Sequence, residues 1–221
     1  MSRFGVPRLS DLLTADEQAL IVQLAKRRKY RDGELIHERG DKESSVGFVV
    51  SGKVKMFNPR SDGVEVFSGL IHTGQSFGDA GLLHGESRLH RAVALGEAVI
   101  DHVDRDSFEQ LLDHVSIVRA LYKISTFRLA TTLALLDDMR TLSPELRLAR
   151  LLARMQAAAG GAGRLDFVQE ELAGMMGVST VTLAKALRLL GQRGLVKPGY
   201  RHVQVADAKG LTDWIAEQGM E

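Results

Sequence analysis

Residues 169–196 read QEELAGMMGVSTVTLAKALRLLGQRGLV. Two short helices joined by a tight turn account for the spacing of its apolar residues. Leu172, Ala173, Met176, Val178, Val181 or Leu183, and Leu187 fall where two crossing helices touch. Ala173 is small enough to let the helices approach, and Gly177 supplies the turn. Ser179 stands where an N-cap belongs, just before the second helix. The charge pattern is one-sided: after Glu171 the next acid is Asp207, and Lys185, Arg188, Arg193, Lys197 and Arg201 lie between.

Such a surface suits a polyanion. The second helix would offer Ser179, Thr180, Val181, Thr182 and Lys185 to the major groove of DNA. Lys185, Arg188 and the cations of the following ribbon, Lys197 and Arg201, would meet phosphates. A carboxylate there would repel the backbone and gain nothing unless it read a cytosine. The ribbon, LVKPGYRHVQVAD, is expected to turn at Pro198-Gly199. An ordinary solvated helical bundle is the competing reading; the ribbon behind the pattern and a hinge ahead of it favour DNA.

The bulk properties agree with a local basic surface. The 221 residues carry a formal net charge of +1, which excludes a globally basic nucleic-acid glove. Residues 141–221 hold ten Lys and Arg against eight Asp and Glu. The absence of cysteine excludes a disulfide scaffold, a cysteine-ligated iron–sulfur cluster and a catalytic thiol. Residues 1–20 lack a signal-peptide apolar region, and no run is long enough to span a bilayer, so a soluble cytoplasmic protein with no membrane partner is expected.

Upstream, residues 30–110 read as all-β. Turn signals recur at Asp32-Gly33, Gly40-Asp41, Ser51-Gly52, Asp62-Gly63, Gly69, Gly74, Gly85 and Gly96. The short runs between them suggest a sandwich or barrel. Residues 14–29 are expected to form a helix, with Thr14 and Glu17 as a capping box. Asp106 is expected to cap a short helix over SFEQLL. SIVRALYKISTFRLATTLALLDD (116–138) then runs without Gly or Pro and is apolar on more than one side. Such a helix needs two partners, one of them a second copy of itself in a coiled-coil-like seam. Residues 140–146 are expected to be a hinge, with Ser143-Pro144 starting a new helix. The turn GGAG (160–163) and a strand RLDF precede the quoted stretch.

With these segments in order, the chain resembles the cyclic-AMP receptor protein family, the Crp–Fnr superfamily of bacterial transcription regulators. GELIHERGD (33–41), VGFVVSGKVKMF (46–57) and GQSFGDAGLL (74–83) look like its successive β-roll motifs. The quoted stretch resembles its winged helix–turn–helix. The resemblance implies an α+β chain: a cyclic-nucleotide-binding-like β-roll (jelly roll) over 1–115, a dimerisation helix over 116–139, and a winged helix–turn–helix over 140–221. It further implies a homodimer, double-stranded DNA with a two-fold-symmetric operator, and contact with RNA polymerase at activated promoters.

Nucleotide-binding members carry Gly-Glu and, about ten residues on, Arg-Ser or Arg-Thr. Here Gly78-Asp79 and Arg88-Leu89 stand in those places. By resemblance the effector site comprises Phe77, Gly78, Asp79, Ala80, Arg88 and Leu89, with Thr126 and Phe127 facing it from the long helix. Asp79 has the chemistry to accept from a ribose hydroxyl, with a shorter reach than Glu. Arg88 has the chemistry to hold a phosphate. Leu89 offers no hydroxyl, a loss of roughly 1.5–3 kcal/mol if one bond to a charged phosphate disappears. Three readings of the pocket stand: cyclic AMP or another cyclic nucleotide, a different effector, or a roll with no ligand. Arg88 as a solvated charge and Asp79 as a helix cap are the bland alternatives.

The recognition helix also departs from the family pattern. Familiar members place Arg-Glu and a later Arg after the capping Ser; Thr180, Val181 and Lys185 stand there, which implies a different operator. Two other classes compete. A haem sensor would draw on His84 or His90, which show no axial-ligand signature. An enzyme would draw on Asp79, His84, Glu86 and His90, whose spacing matches no known ligand motif. A purely structural scaffold would lack salt-dependent DNA binding.

Overall fold

The computed structural model describes residues 7–42, 45–59, 65–158, 161, 163–167 and 169–218. The expected turn at Asp62-Gly63 lies outside them, as do Gly160 and Ala162 of the GGAG turn. Two compact units divide the chain, one over Pro7–Phe127 and the other from Arg128 onward.

In the first unit a short 3-10 turn, Leu9–Leu12, precedes helix α1, Ala15–Leu24. Thr14 Oγ1 accepts from the Glu17 amide, and the Glu17 carboxylate accepts from the Thr14 amide, so the capping box forms as expected. The helix is shorter than its sequence suggests. Residues KRRKY leave it and form strand β1, Lys26–Tyr30. Pairing with a long partner strand offsets their weak strand pattern, and the Arg27 guanidinium forks onto the buried Asp101 carboxylate at 2.7 and 2.8 Å.

The remaining strands are β2 (Leu35–His37), β3 (Ser45–Pro59), β4 (Glu65–His72), β5 (Ser76–Phe77) and β6 (Arg91–Asp104). All pair antiparallel, in the order β1-β6-β3-β4, with β2 on β6 and β5 on β3. Three of the expected turns are interior to strands. Ser51-Gly52 lies within β3, Gly69 within β4 and Gly96 within β6. At Gly52 the β3–β6 register slips, φ is +83°, and a Cβ would stand 2.8 Å from Ala98 Cα. The residue is therefore a bulge that lets two long strands cross closely. Tyr30, Val49, Val54, Phe77, Ala92, Ala94 and Ile100 fill the roll.

Helix α2, Asp79–His84, follows β5, and helix α3, Arg105–Leu112, follows β6. The cap of α3 is Asp104, whose carboxylate accepts from the Ser107 amide at 3.0 Å, and not Asp106. Asp104 is still extended and so has the N-cap geometry; Asp106 lies already in the first turn. Helix α4 then runs unbroken over Val115–Thr141. Ile117, Leu121 and Ile124 are buried, whereas Val118, Tyr122, Leu129, Leu133 and Leu136 are exposed along it.

In the second unit the expected hinge contracts to two residues, since α4 ends at Thr141 and α5 spans Pro144–Ala158. Ser143 Oγ accepts from the Leu146 amide to cap α5. Across the break the largely buried Asp138 carboxylate accepts from Arg150 at 2.8 Å and faces Arg154 at 3.5 Å. Strand β7 (Arg164–Asp166), helices α6 (Gln169–Met176) and α7 (Thr180–Gln192), strands β8 (Val196–Gly199) and β9 (His202–Val205), and helix α8 (Ala208–Gln218) complete the unit. The strands pair in the order β7-β9-β8. The β8–β9 turn sits at Tyr200-Arg201 rather than Pro198-Gly199, with Arg201 at φ +55°. Pro198 is tolerated inside β8 because that strand is an edge.

Candidate nucleic-acid interface and effector corner

Helices α6 and α7 meet as the sequence pattern requires. Leu172, Ala173, Met176, Leu183 and Leu187 are buried in one core with Leu148, Leu152 and Leu190. Of the two alternatives for the first contact of α7, Leu183 is the core residue and Val181 is 63% exposed. Gly177 turns the chain at φ +63°, and Arg147 Nη1 donates to the Met176 carbonyl at 3.1 Å, holding the end of α6. Ser179 caps α7, accepting from the Thr182 amide at 3.1 Å.

Burying Leu183, Ala186, Leu187 and Leu190 fixes the opposite side of α7 as its free face. Ser179, Thr180, Val181, Lys185 and Arg188 are exposed there, and Thr182 is half-buried with its hydroxyl 2.9 Å from Ser179 Oγ. Lys197 and Arg201 of the wing are exposed as well. Sequence reasoning missed Tyr200, which is 88% exposed at the wing tip beside Arg201; placing the turn two residues early hid it. Arg193 lies over the Trp214 ring at 5.6 Å and serves the packing of the unit.

In the first unit, Gly78 is the N-cap of α2 with φ +88°. A side chain there would strike the Arg88 guanidinium and stand 2.8 Å from the Ser45 carbonyl oxygen, so Gly78 and Arg88 form one corner. Arg88 is 7% exposed, which overturns the solvated-charge alternative. The loop traps it: its amide donates to the Asp41 carbonyl and its carbonyl accepts from the Gly40 amide. Its Nη2 donates to Ser45 Oγ at 3.1 Å, while Nε and Nη1 have no partner among the described residues.

The other expected corner residues are placed differently. Phe77 is core, packed on the bare face of Gly47 and 5.9 Å from the His37 ring. Asp79 is the half-buried first residue of α2, and Ala80 is exposed. Leu89 points largely to solvent at 48% exposure. The Thr126 hydroxyl donates to the Tyr122 and Lys123 carbonyls of its own helix, and Phe127 is half-buried. Of the histidines weighed for metal or haem, His84 is exposed and His90 Nδ1 lies 3.2 Å from the Asn58 side-chain amide.

Two histidines that the sequence did not single out lie near Arg88, His37 buried and His102 half-buried. Burial, helped by Arg88, depresses His37 and His102 to about 4. Both rings stay neutral in the folded chain, while an unfolded chain protonates them near 6.5. The unfolded state therefore binds more protons between about 4 and 6.5, and stability falls as pH drops through that window. From pH 7.5 to 5 the loss should be about 2 kcal/mol per histidine. Denaturant titrations at the two pH values check it; His102→Gln should remove about half of the difference.

Comparison with known proteins now fixes the class. Residues 27–115 match the family model described as cyclic nucleotide-binding domain, and residues 146–214 match the Crp-like helix-turn-helix domain. The cyclic AMP receptor protein of Thermus thermophilus is 28% identical over 203 residues, covering 91% of this chain and 93% of that one. A CRP-like cAMP-activated global transcriptional regulator of Mycobacterium tuberculosis is 27% identical over 186 residues, covering 81% and 83%. The crystal structure of Thermus thermophilus catabolite activator protein aligns with a TM-score of 0.56 and 27% identity, covering 96% of this chain and 99% of that chain. The chain belongs to the Crp–Fnr family, as a DNA-binding transcription regulator with a cyclic-nucleotide-binding-type domain.

Proposed function

We propose that two copies of the chain pair along α4 and place their α7 helices in successive major grooves of a two-fold-symmetric operator, about 34 Å apart. The observation that carries this reading is the free face of α7: Thr180, Val181, Lys185 and Arg188 are exposed on it, in a run with no carboxylate from Glu171 to Asp207. Thr180 and Val181 read bases, Val181 through a thymine methyl, and Lys185 reaches from the same face to a phosphate. Ser179, Thr182, Arg188, Lys197 and Arg201 hold the backbone. The exposed apolar row of α4, which stays open to solvent among the described residues, supports the seam.

The effector reading rests on the Gly78–Arg88 corner, where a buried cation retains unpaired N–H groups. An anionic effector fits, and a cyclic nucleotide such as cyclic AMP is the ligand that the named relatives suggest. Leu89, exposed and without a hydroxyl, would not assist. The ligand acts by its differential affinity for two arrangements of the dimer. Among the described residues no helix is long and apolar enough to cross a membrane. A regulator of this kind works in the cytoplasm, and contact with RNA polymerase would couple it to transcription.

The test is operator binding as a function of salt. A selected duplex should bind with affinity that falls steeply as salt rises. Lys185→Ala should weaken binding and lower the salt slope by about one per subunit. Affinity that ignores both salt and this substitution would refute the groove assignment.

A further inference from the structure

A polar concavity of the roll opens beside the Gly78–Arg88 corner. It is a cavity of about 940 Å³ bounded by β1, β2, the start of β3 and the beginning of α3. Arg88 reaches it, but Asp79, Leu89 and Thr126 do not line it. We propose that this cavity is a binding site for a small oligophosphate, a molecule carrying a pyrophosphate or triphosphate group.

The floor is a chain of polar groups. The Tyr30 hydroxyl lies 2.8 Å from His102 Nε2, His102 Nδ1 lies 3.3 Å from Ser45 Oγ, and Ser45 Oγ accepts from Arg88 Nη2 at 3.1 Å. His37 stands beside them. The chain ends on a guanidinium that is 7% exposed and whose Nε and Nη1 have no partner among the described residues. Leaving a buried cation in that condition is costly, and an anion is the group that relieves it. Burial already lowers its proton affinity, with Asp41 the one described carboxylate that acts against this.

The rim has the charge for more than one phosphate. Among the described residues six lining cations face three carboxylates, Asp41, Asp104 and Asp106. Asp41 and Asp104 each accept a backbone amide, from Glu38 and Ser107, so part of their charge is held within the loops. Arg27 is tied to Asp101, and Arg28 to Glu34. Lys42 and Arg105 make no ion pair among the described residues, and Lys26 only a long one, 3.7 Å to Asp104. Three exposed cations around a buried fourth can follow a chain of phosphates, whereas a lone phosphate ester would use only one or two of them. The volume lies at the upper end of small-molecule sites.

The experiment titrates the full chain with sodium pyrophosphate and sodium triphosphate, reading heat and the imidazole NMR signals of His37 and His102. Saturable binding is expected, with both imidazole titrations moved upward by about one pH unit, because an adjacent anion favours the imidazolium. Lys42→Ala/Arg105→Ala alters only exposed side chains, and it should weaken binding about tenfold with an unchanged melting temperature. Arg88→Lys, which keeps a charge but loses the planar donors, should weaken it further. The proposal is overturned by absence of saturable binding, by binding that leaves both imidazoles unmoved, or by binding indifferent to the rim variant. Loss of binding in Lys185→Ala instead would place the anion on the DNA-reading face and sink it too. The site draws on the same Arg88 N–H groups as the effector corner, so anions at the two places would compete; operator binding plays no part in these readings, so the regulator assignment and this site fail separately.

Discussion

A Leu129→Asp/Leu133→Asp variant should sediment as a folded monomer and bind its operator on the order of a thousandfold more weakly than the parent. Leu129 and Leu133 are 59% and 52% exposed, so replacing them removes little packing within the chain. In a paired seam the same side chains would be desolvated against their counterparts, and two facing carboxylates would repel. The cost to DNA binding follows from linkage. One recognition helix holds a half-site, and the second binds at the effective concentration set by the first, a gain of about 10²–10⁴. Analytical ultracentrifugation reads the first effect and a gel-shift titration the second. A variant that remains dimeric would show that α4 is covered by something other than its own twin.

The second large effect is thermodynamic. Leu183→Ala should destabilise the DNA-binding unit by about 2–5 kcal/mol, because Leu183 has no exposed surface and sits where α6, α7 and α5 converge. Trp214 is the chain's only tryptophan and packs against the same core. Its fluorescence in urea should therefore show a lower midpoint at an unchanged slope, the signature of lost stability without a changed unfolded state. Val181→Ala, two residues earlier, serves as the contrast. Val181 is 63% exposed, and its truncation should leave that transition in place while altering operator preference.

These two neighbours show where the sequence was legible. Its period could not choose between Val181 and Leu183 as the α7 contact; packing of Leu183 with Leu172 and Leu187 in the folded core decides it. The capping box at Thr14 and the cap at Ser179 were readable because each is local, a side chain meeting an amide three residues on. Strand β1 was not, because KRRKY becomes a strand only through β6, and Arg27 finds Asp101 seventy-four positions away. Glycine misled in the same manner. Gly52 and Gly96 read as turns, yet a long-range crossing uses their positive φ to bend strands that continue. At the corner, Gly78 and Arg88 were identified by resemblance and do lie together. The burial of Arg88 and its connection through Ser45 to His102 and Tyr30 depend on tertiary contacts among residues scattered from 30 to 102, which no spacing rule encodes.

Asp138 bears on how a signal would travel. Its carboxylate grips Arg150 and Arg154 across the interruption at Leu142-Ser143, so the end of α4 and the first turns of α5 are riveted together. A chain jointed there by a loose tether would damp any twist applied to α4. Riveted, it would act like a crankshaft, handing that twist to α5, which packs against α7.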